Sequence, residues 1–198
     1  MKISIIGAGN IGSTLARKWA QAGNQIWFGV RNPSDPKFDD LRPLGQVCPV
    51  AQAVESAEVL LLSLPGAAVA EFAAQFGAVM DGKMVIDATN NIRSAEMNNL
   101  AVLQEKAPGA HLVRAFSSLG WENFAEPSLG GQPIDLFYCG EPTSQAAADQ
   151  LISEIGLRPI YLGGLETVGL VDNLTRLWLQ LVFTHKRSRR LAFKLVEE

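Results

Sequence analysis

Lys2–Pro33 reads KISIIGAGNIGSTLARKWAQAGNQIWFGVRNP. Lys2–Ile6 is a short apolar run that ends in glycine, which suits a buried parallel strand. Asn10–Ala22 carries helix formers, and Gly23 stops it. Gln25–Val30 is a second apolar strand. Between strand and helix stands Gly7-Ala8-Gly9-Asn10-Ile11-Gly12, a G-x-G-x-x-G spacing in the context where each glycine has its own task. Gly7 permits the tight turn. Gly9 lacks a Cβ, so a pyrophosphate can approach the backbone. Gly12 lets the helix lie close against the strand. The helix N-terminus then offers free N–H groups and a partial positive charge to phosphates.

The rest of the chain keeps the same rhythm. Asn32–Pro43 is polar and rich in Pro and Asp, and reads as a loop. A weak strand near Gln46–Cys48 precedes a short helix that ends about Ser56. Glu58–Leu64 is the clearest buried strand, broken by Pro65-Gly66 before a helix over Ala67–Phe76. Lys83–Ala88 is a strand, Ser94–Lys106 a helix, His111–Ala115 a strand and Phe116–Gly131 a loop. Ile134–Cys139, Ser144–Ile155 and Pro159–Leu162 read as strand, helix and strand. A long helical pattern runs from about Glu166 onward. This alternation predicts an α/β fold, a doubly wound parallel Rossmann sheet with a small C-terminal helical extension. Pro127–Pro133 is the best seam. It divides a dinucleotide-binding core, residues 1–130, from a C-terminal part, residues 131–198, that completes the sheet and the acceptor pocket.

The residue after the second strand sets the coenzyme. NAD-selective proteins place an acid there to hold the adenosine ribose hydroxyls. This chain has Val30-Arg31-Asn32, and its first acid is Asp35. A carboxylate would repel the 2′-phosphate of NADP, whereas a guanidinium grips it with charge and paired donors. Arg31 therefore points to NADP(H), with Asn32 as a neutral partner and Lys37 as added charge. Ligands in such sheets lie beyond the carboxyl ends of the strands. Three strand ends are candidates: Ser63-Leu64-Pro65, Asp87-Ala88-Thr89-Asn90, and Phe116-Ser117-Ser118-Leu119-Gly120-Trp121. The first two, through Leu64, Pro65, Thr89 and Asn90, are expected to border the cofactor. The third combines ring surface with hydroxyls and is expected to face the substrate.

Composition narrows the function. The chain has 198 residues, 47% hydrophobic, with a formal net charge of -3. That length can bury a core without disulfide or metal staples. The charge and a pI near 5.5 argue against a general nucleic-acid partner, which needs a basic surface. The run His185-Lys186-Arg187-Ser188-Arg189-Arg190 is expected on the solvated side of a terminal helix. Cys48 and Cys139 show no metal or redox spacing and read as small buried hydrophobes. No stretch approaches the roughly 20 apolar residues of a membrane span. With no signal-peptide pattern at the N-terminus, a cytoplasmic setting is the expectation.

The segments GAGNIG, GVRNP, LSLP, VIDATN, VRAFSSLGWENFAEP and GLRPIYLGGLETVGLVDNLTRLWLQL, in this order, resemble the family of NADPH-dependent coenzyme F420 reductases. That family is also similar to the reductase domain of the STEAP metalloreductases. The resemblance implies NADP(H) as cofactor and hydride transfer to a deazaflavin, flavin or similar ring. It assigns Gly7 to Gly12, Arg31, Pro65 and the Thr89-Asn90 region to cofactor binding, and Phe116 to Trp121 to the acceptor side. Two positions depart from the family pattern: Ser117 stands where asparagine is common, and Val30 where serine is frequent.

A carbonyl reductase needs a placed proton donor. His111 begins a strand, at the wrong end of the sheet. His185 lies late in the terminal helix, and Tyr138 and Tyr161 fit hydrophobic strands. No catalytic acid and no metal ligand set is therefore assigned. A delocalised ring can take a hydride and draw its proton from solvent, so the protein need only align two rings and exclude water. Two other readings compete: a reductase of imines or β-hydroxy acids, with Arg176 where a lysine would help, and a non-catalytic NADPH sensor. Leu170, Leu174, Leu177, Trp178, Leu181 and Val182 recur at helical spacing and read as a core-facing stripe. The length of that helix past the last strand also suits a homodimer contact.

Overall fold

A computed structural model describes all residues, 1–198. One eight-stranded sheet organises the chain. Its first half runs β1 (Lys2–Ile6), α1 (Asn10–Gln21), β2 (Gln25–Val30), β3 (Gln46–Pro49), α2 (Val50–Ser56), β4 (Val59–Leu62), α3 (Val69–Phe76) and β5 (Met84–Asp87). Then follow α4 (Leu100–Lys106), β6 (His111–Arg114), α5 (Trp121–Ala125), the strand pair β7 (Ser128–Leu129) and β8 (Gln132–Pro133), β9 (Asp135–Gly140), α6 (Gln145–Glu154), β10 (Arg158–Tyr161) and α7 (Val168–Leu179). Strand order across the sheet is β10-β9-β6-β5-β4-β1-β2-β3. From β1 the chain builds outward to β2 and β3, then crosses back to β4 and builds the other way. The crevice at that reversal lies beyond the carboxyl ends of β1 and β4, where doubly wound sheets bind ligands.

Each central strand feeds two cores because its side chains alternate. Ile3 and Ile5 of β1 and Val59 and Leu61 of β4 pack under α1 and α6, with Leu15, Trp19 and Leu151. Ile6, Leu60 and Leu62 point to the opposite face, against Val54, Phe72 and Leu103 of α2, α3 and α4. Both faces are covered, which is why VLLL is buried at every position. Cys48 and Cys139 are free and buried, as expected of small hydrophobes. No helix is long and apolar enough to cross a membrane.

The sheet departs from the expected all-parallel order at one joint. β6 and β9 pair antiparallel, Val113 with Gly140 and Arg114 with Cys139. The connection through α5 and the β7–β8 hairpin stays at the carboxyl end of β6, so β9 starts there and runs back. After α5 the chain reverses through the small β7–β8 hairpin, where Gly130 and Gly131 both take positive φ, +57° and +77°. The helix expected over Ser94–Lys106 begins only at Leu100. Asn98 accepts the Leu100 N–H through its side chain, and the Asn99 N–H donates to Asp87. Side-chain bonding of this kind competes with helical pairing. The expected loop over Asn32–Pro43 holds a 3₁₀ turn, Pro36–Leu41, opened by Asp35, whose carboxylate accepts the Lys37 N–H.

The chain end differs most from expectation. α7 closes in a π-helical turn, Gln180–Thr184, and helix ends there. The basic run is therefore not the wet side of a helix. Arg189 pairs with Glu122, and Arg190 pairs with Glu126 and donates to the Ser128 carbonyl. Residues 189–195 return as an irregular strap across α5 and β9. The strap is anchored on Asp135, which is 1% exposed and accepts from Arg158 Nη2 at 2.7 Å, Lys194 Nζ at 3.0 Å and the Leu195 N–H at 2.7 Å. The apolar stripe of α7 splits as well. Val171, Trp178 and Val182 are buried, but Leu170 and Leu177 are 57% and 46% exposed.

The Asp135 anchor has a pH sign. Burial alone would raise its pKa, but hydrogen bonds from Arg158, the Leu195 N–H and Lys194 outweigh burial and hold it below the ordinary 3.8. A depressed carboxylate contributes its stability above the unfolded pKa and loses it as pH falls through the folded value. The strap should stay docked through mild acid and release only below about pH 3.8. An NMR titration of the Leu195 amide checks this. Release near pH 5, or an Asp135→Asn variant whose strap stays docked at neutral pH, contradicts the anchor.

Candidate functional site

The glycine turn joins β1 to α1 at the edge of the crevice. Gly7 has φ +105°, and a Cβ there would stand 2.6 Å from the Ser63 carbonyl oxygen. A Cβ on Gly12 would meet the Gly7 carbonyl oxygen at 2.2 Å, Ser63 Oγ at 2.7 Å and Ile5 Cγ2 at 2.8 Å. These two glycines exist for packing. Gly9 is different: a Cβ there would meet nothing within 4 Å. Its open side faces outward at the cap of α1, where no side chain caps the helix. That leaves the first N–H groups of α1 without a side-chain acceptor, ready for an anion. Asn10 is exposed beside it, and Ile11 is half-buried against the core. Ser63 donates to the Gly7 carbonyl at 2.7 Å and so ties the end of β4 to the turn.

Arg31 and Asn32 follow β2 and are exposed. Arg31 makes no ion pair. Asn32 folds back to accept the Ser34 N–H. Lys37 is not free charge: it pairs with Asp35 at 2.8 Å and sits over the Phe38 ring. The hydrogen bonds from Lys37 hold the Asp35 carboxyl below its ordinary range. At the next strand end Leu64 is half-buried and Pro65 exposed, bordering the same crevice. Gly66 lies so close to Asn91 that a Cβ would meet Asn91 Oδ1 at 2.1 Å.

Thr89 does not face a cofactor with its side chain. It is 2% exposed. Its hydroxyl donates to Asp87 and accepts from Asn99 at 2.8 Å, and its N–H also donates to Asp87. Asn90 is half-buried, with both ends of its amide engaged. Oδ1 accepts from Arg114 at 2.7 Å, and Nδ2 donates to the Ser117 carbonyl at 3.0 Å. Polar groups so close to a sheet satisfy one another first.

The acceptor loop is likewise drawn inward. Phe116 is 1% exposed and lies edge-on to both Trp19 and Phe124 with ring centroids 5.7 Å apart. Its φ of +59° is unusual for a bulky residue. Ser117, Ser118 and Leu119 are also buried. Of the five residues expected on the acceptor side, only Trp121 reaches the surface. It stands with Asn10, Ser13, Thr14 and Arg17 along an open groove of about 440 Å³ beside α1.

Three of the four candidate side-chain acids are structurally committed, and the fourth, His185, is exposed just past the π-helical turn. His111 meets Glu141 at 3.0 Å, at the sheet end away from the crevice. Tyr138 donates to Asp149, and burial raises its pKa. Tyr161 donates to the Gly140 carbonyl at 2.9 Å. Arg176 donates to the Ala95 carbonyl.

Sequence reading missed a buried charge cluster behind the strand ends. Arg114 is fully buried at the carboxyl end of β6. Its Nε donates to Asp172 of α7 at 3.1 Å, and Nη1 donates to the carbonyls of Asp87 and Thr89. Asn98 donates to the other oxygen of Asp172 at 2.7 Å. A buried guanidinium survives only with such partners. A signal was present: in parallel register Asp87 of β5 stands opposite Arg114 of β6. A charged residue in each of two adjacent buried strands implies a pair.

Residues 2–91, from the first strand through the Asn90 loop, match the family described as NADP oxidoreductase, coenzyme F420-dependent. The matched stretch includes the glycine turn, Arg31, Pro65 and Asn90. A crystal structure from Arthrobacter sp. FB24, with the working name F420 dependent NADP-reductase, superposes with a TM-score of 0.86 at 22% identity over all of both chains, and so shares the fold. A glycerol-3-phosphate dehydrogenase [NAD(P)+] from Chlorobium phaeobacteroides is 25% identical over 88% of this chain and 58% of its own. The rat metalloreductase STEAP3 is 27% identical over 86% of this chain and 36% of its own. The chain thus spans little more than half of the one relative and about a third of the other.

Proposed function

We propose that the chain binds NADP(H) across the carboxyl ends of β1 and β4 and passes a hydride between it and a ring acceptor such as F420 or a flavin. The observation that carries this reading is Arg31: an exposed guanidinium without an ion-pair partner, at the end of β2, where no carboxylate stands. Gly9, open on its outer side, receives the pyrophosphate, and the crevice residues Leu64 and Pro65 border the nicotinamide half. NADPH supplies the hydride when bound. The residues supply alignment and exclusion of water, which is the whole demand of transfer between stacked rings. The commitment of His111, Tyr138 and Tyr161 to structural bonds supports an acceptor that needs no donor from them.

The test mixes purified protein and NADPH with F420, FMN, FAD, ferric chelates and quinones and follows nicotinamide absorbance. Oxidation by one ring acceptor supports the reading. Tight NADPH binding with no turnover on any acceptor replaces it with a redox sensor, a reading the burial of Phe116–Leu119 would then favour.

The same proposal includes a homodimer through α7. Leu170 and Leu177, seven residues apart, lie on one face of α7 and are both exposed, an apolar face that a second copy would cover. Light scattering should give twice the chain mass for the native protein and the single mass for Leu177→Glu. A native monomer sinks this part alone.

A further inference from the structure

Arg114 does more than neutralise two acids. Its fork ties together three pieces of chain: the loop after β5 through the Asp87 and Thr89 carbonyls and Asn90, α7 through Asp172, and, by way of Asn90, the loop after β6 at the Ser117 carbonyl. Salt bridges to Asp172 at 3.0 Å and Asp87 at 3.3 Å keep the guanidinium in one orientation. That orientation decides which end of the Asn90 amide faces inward, because a guanidinium only donates. With Oδ1 fixed on Arg114, Nδ2 must point to Ser117. The Asn90 backbone is thereby presented at the crevice beyond β5, while the strained Phe116 turn is pinned beside it.

We propose that Arg114 is a positioning residue for the nicotinamide end of the dinucleotide, acting through Asn90 and the Ser117 carbonyl, and that α7 takes part through Asp172. This inference rests on the NADP(H) reading above. Arg114 touches no cofactor atom itself, and the adenosine end, held at Arg31 on the far side of β1, lies outside its reach. Loss of the fork should therefore disorder one half of the coenzyme site and spare the other. Lysine keeps the charge but offers a single point donor, which cannot span Asp172, Asn90 and two carbonyls at once.

The experiment compares calorimetric affinities for NADPH and for 2′-phospho-ADP-ribose, the same molecule without its nicotinamide. Native protein should bind NADPH more tightly than the fragment. Arg114→Lys should keep fragment affinity within about twofold and lose at least tenfold on NADPH, so that the two become nearly equal. Asp172→Asn, close to isosteric and further from the crevice, should shift the same ratio at least threefold, and it serves if Arg114→Lys does not fold. A purely structural role would lower thermal stability and leave the ratio of affinities unchanged; that result in both variants overturns the inference while the NADP(H) reading stands. Failure of the native protein to bind either molecule overturns both.

Discussion

An alanine at Gly12 is expected to lower the thermal midpoint by roughly 4–12 °C and to abolish NADPH binding, whereas an alanine at Gly9 should leave the midpoint alone and still weaken NADPH at least about tenfold. The two glycines stand three residues apart and differ only in what surrounds the missing methyl. At position 12 the new carbon would lie 2.2 Å from a backbone oxygen and under 3 Å from Ser63 and Ile5. Backbone cannot step aside as a flexible side chain can, so α1 must lift from β1. Overpacking of this kind costs about 2–3 kcal/mol, which in a chain of this size is worth about 2–4 °C per kcal/mol. The small gain from alanine's helix propensity, about 1 kcal/mol, does not offset it. At position 9 nothing lies within 4 Å, so the folded chain takes the methyl freely. A phosphate seated on the first N–H groups of α1 does not. Differential scanning calorimetry and NADPH titration on both variants check the pair. Equal loss of stability in the two would show that Gly9 is only a turn residue.

Arg31→Ala should cost about 10–100-fold in affinity for NADPH and leave NADH within about twofold. A charge-assisted hydrogen bond is worth about 1.5–3 kcal/mol, and Arg31 has no ion-pair partner whose loss would confuse the result. Lys37 does not compensate, because Asp35 holds it at 2.8 Å. The discrimination should weaken as salt rises, since the pair is exposed and screened. Titrations of both coenzymes at two ionic strengths measure it. A variant that keeps the native preference for NADPH removes Arg31 from the 2′-phosphate site and returns the coenzyme to open question.

Local chemistry made the first half of the molecule legible. The glycine spacing, the apolar strand before it and the arginine after β2 each carry their meaning within a few residues. So the sequence by itself determined the βαβ unit and the run of parallel strands, and it placed Arg31 just past β2 with no carboxylate beside it. It could not decide what depends on contacts between distant segments. Thr89 looks like a ligand group until Asp87 and Asn99 close over it. Phe116 looks like ring surface until Trp19, nearly a hundred residues earlier, packs on its edge. The antiparallel joint at β9, the strap anchored on Asp135 and the Arg114 cluster all arise where chain far apart in sequence is brought within hydrogen-bond reach. A buried charge is tolerable only with partners, and only the tertiary structure says which partners arrive.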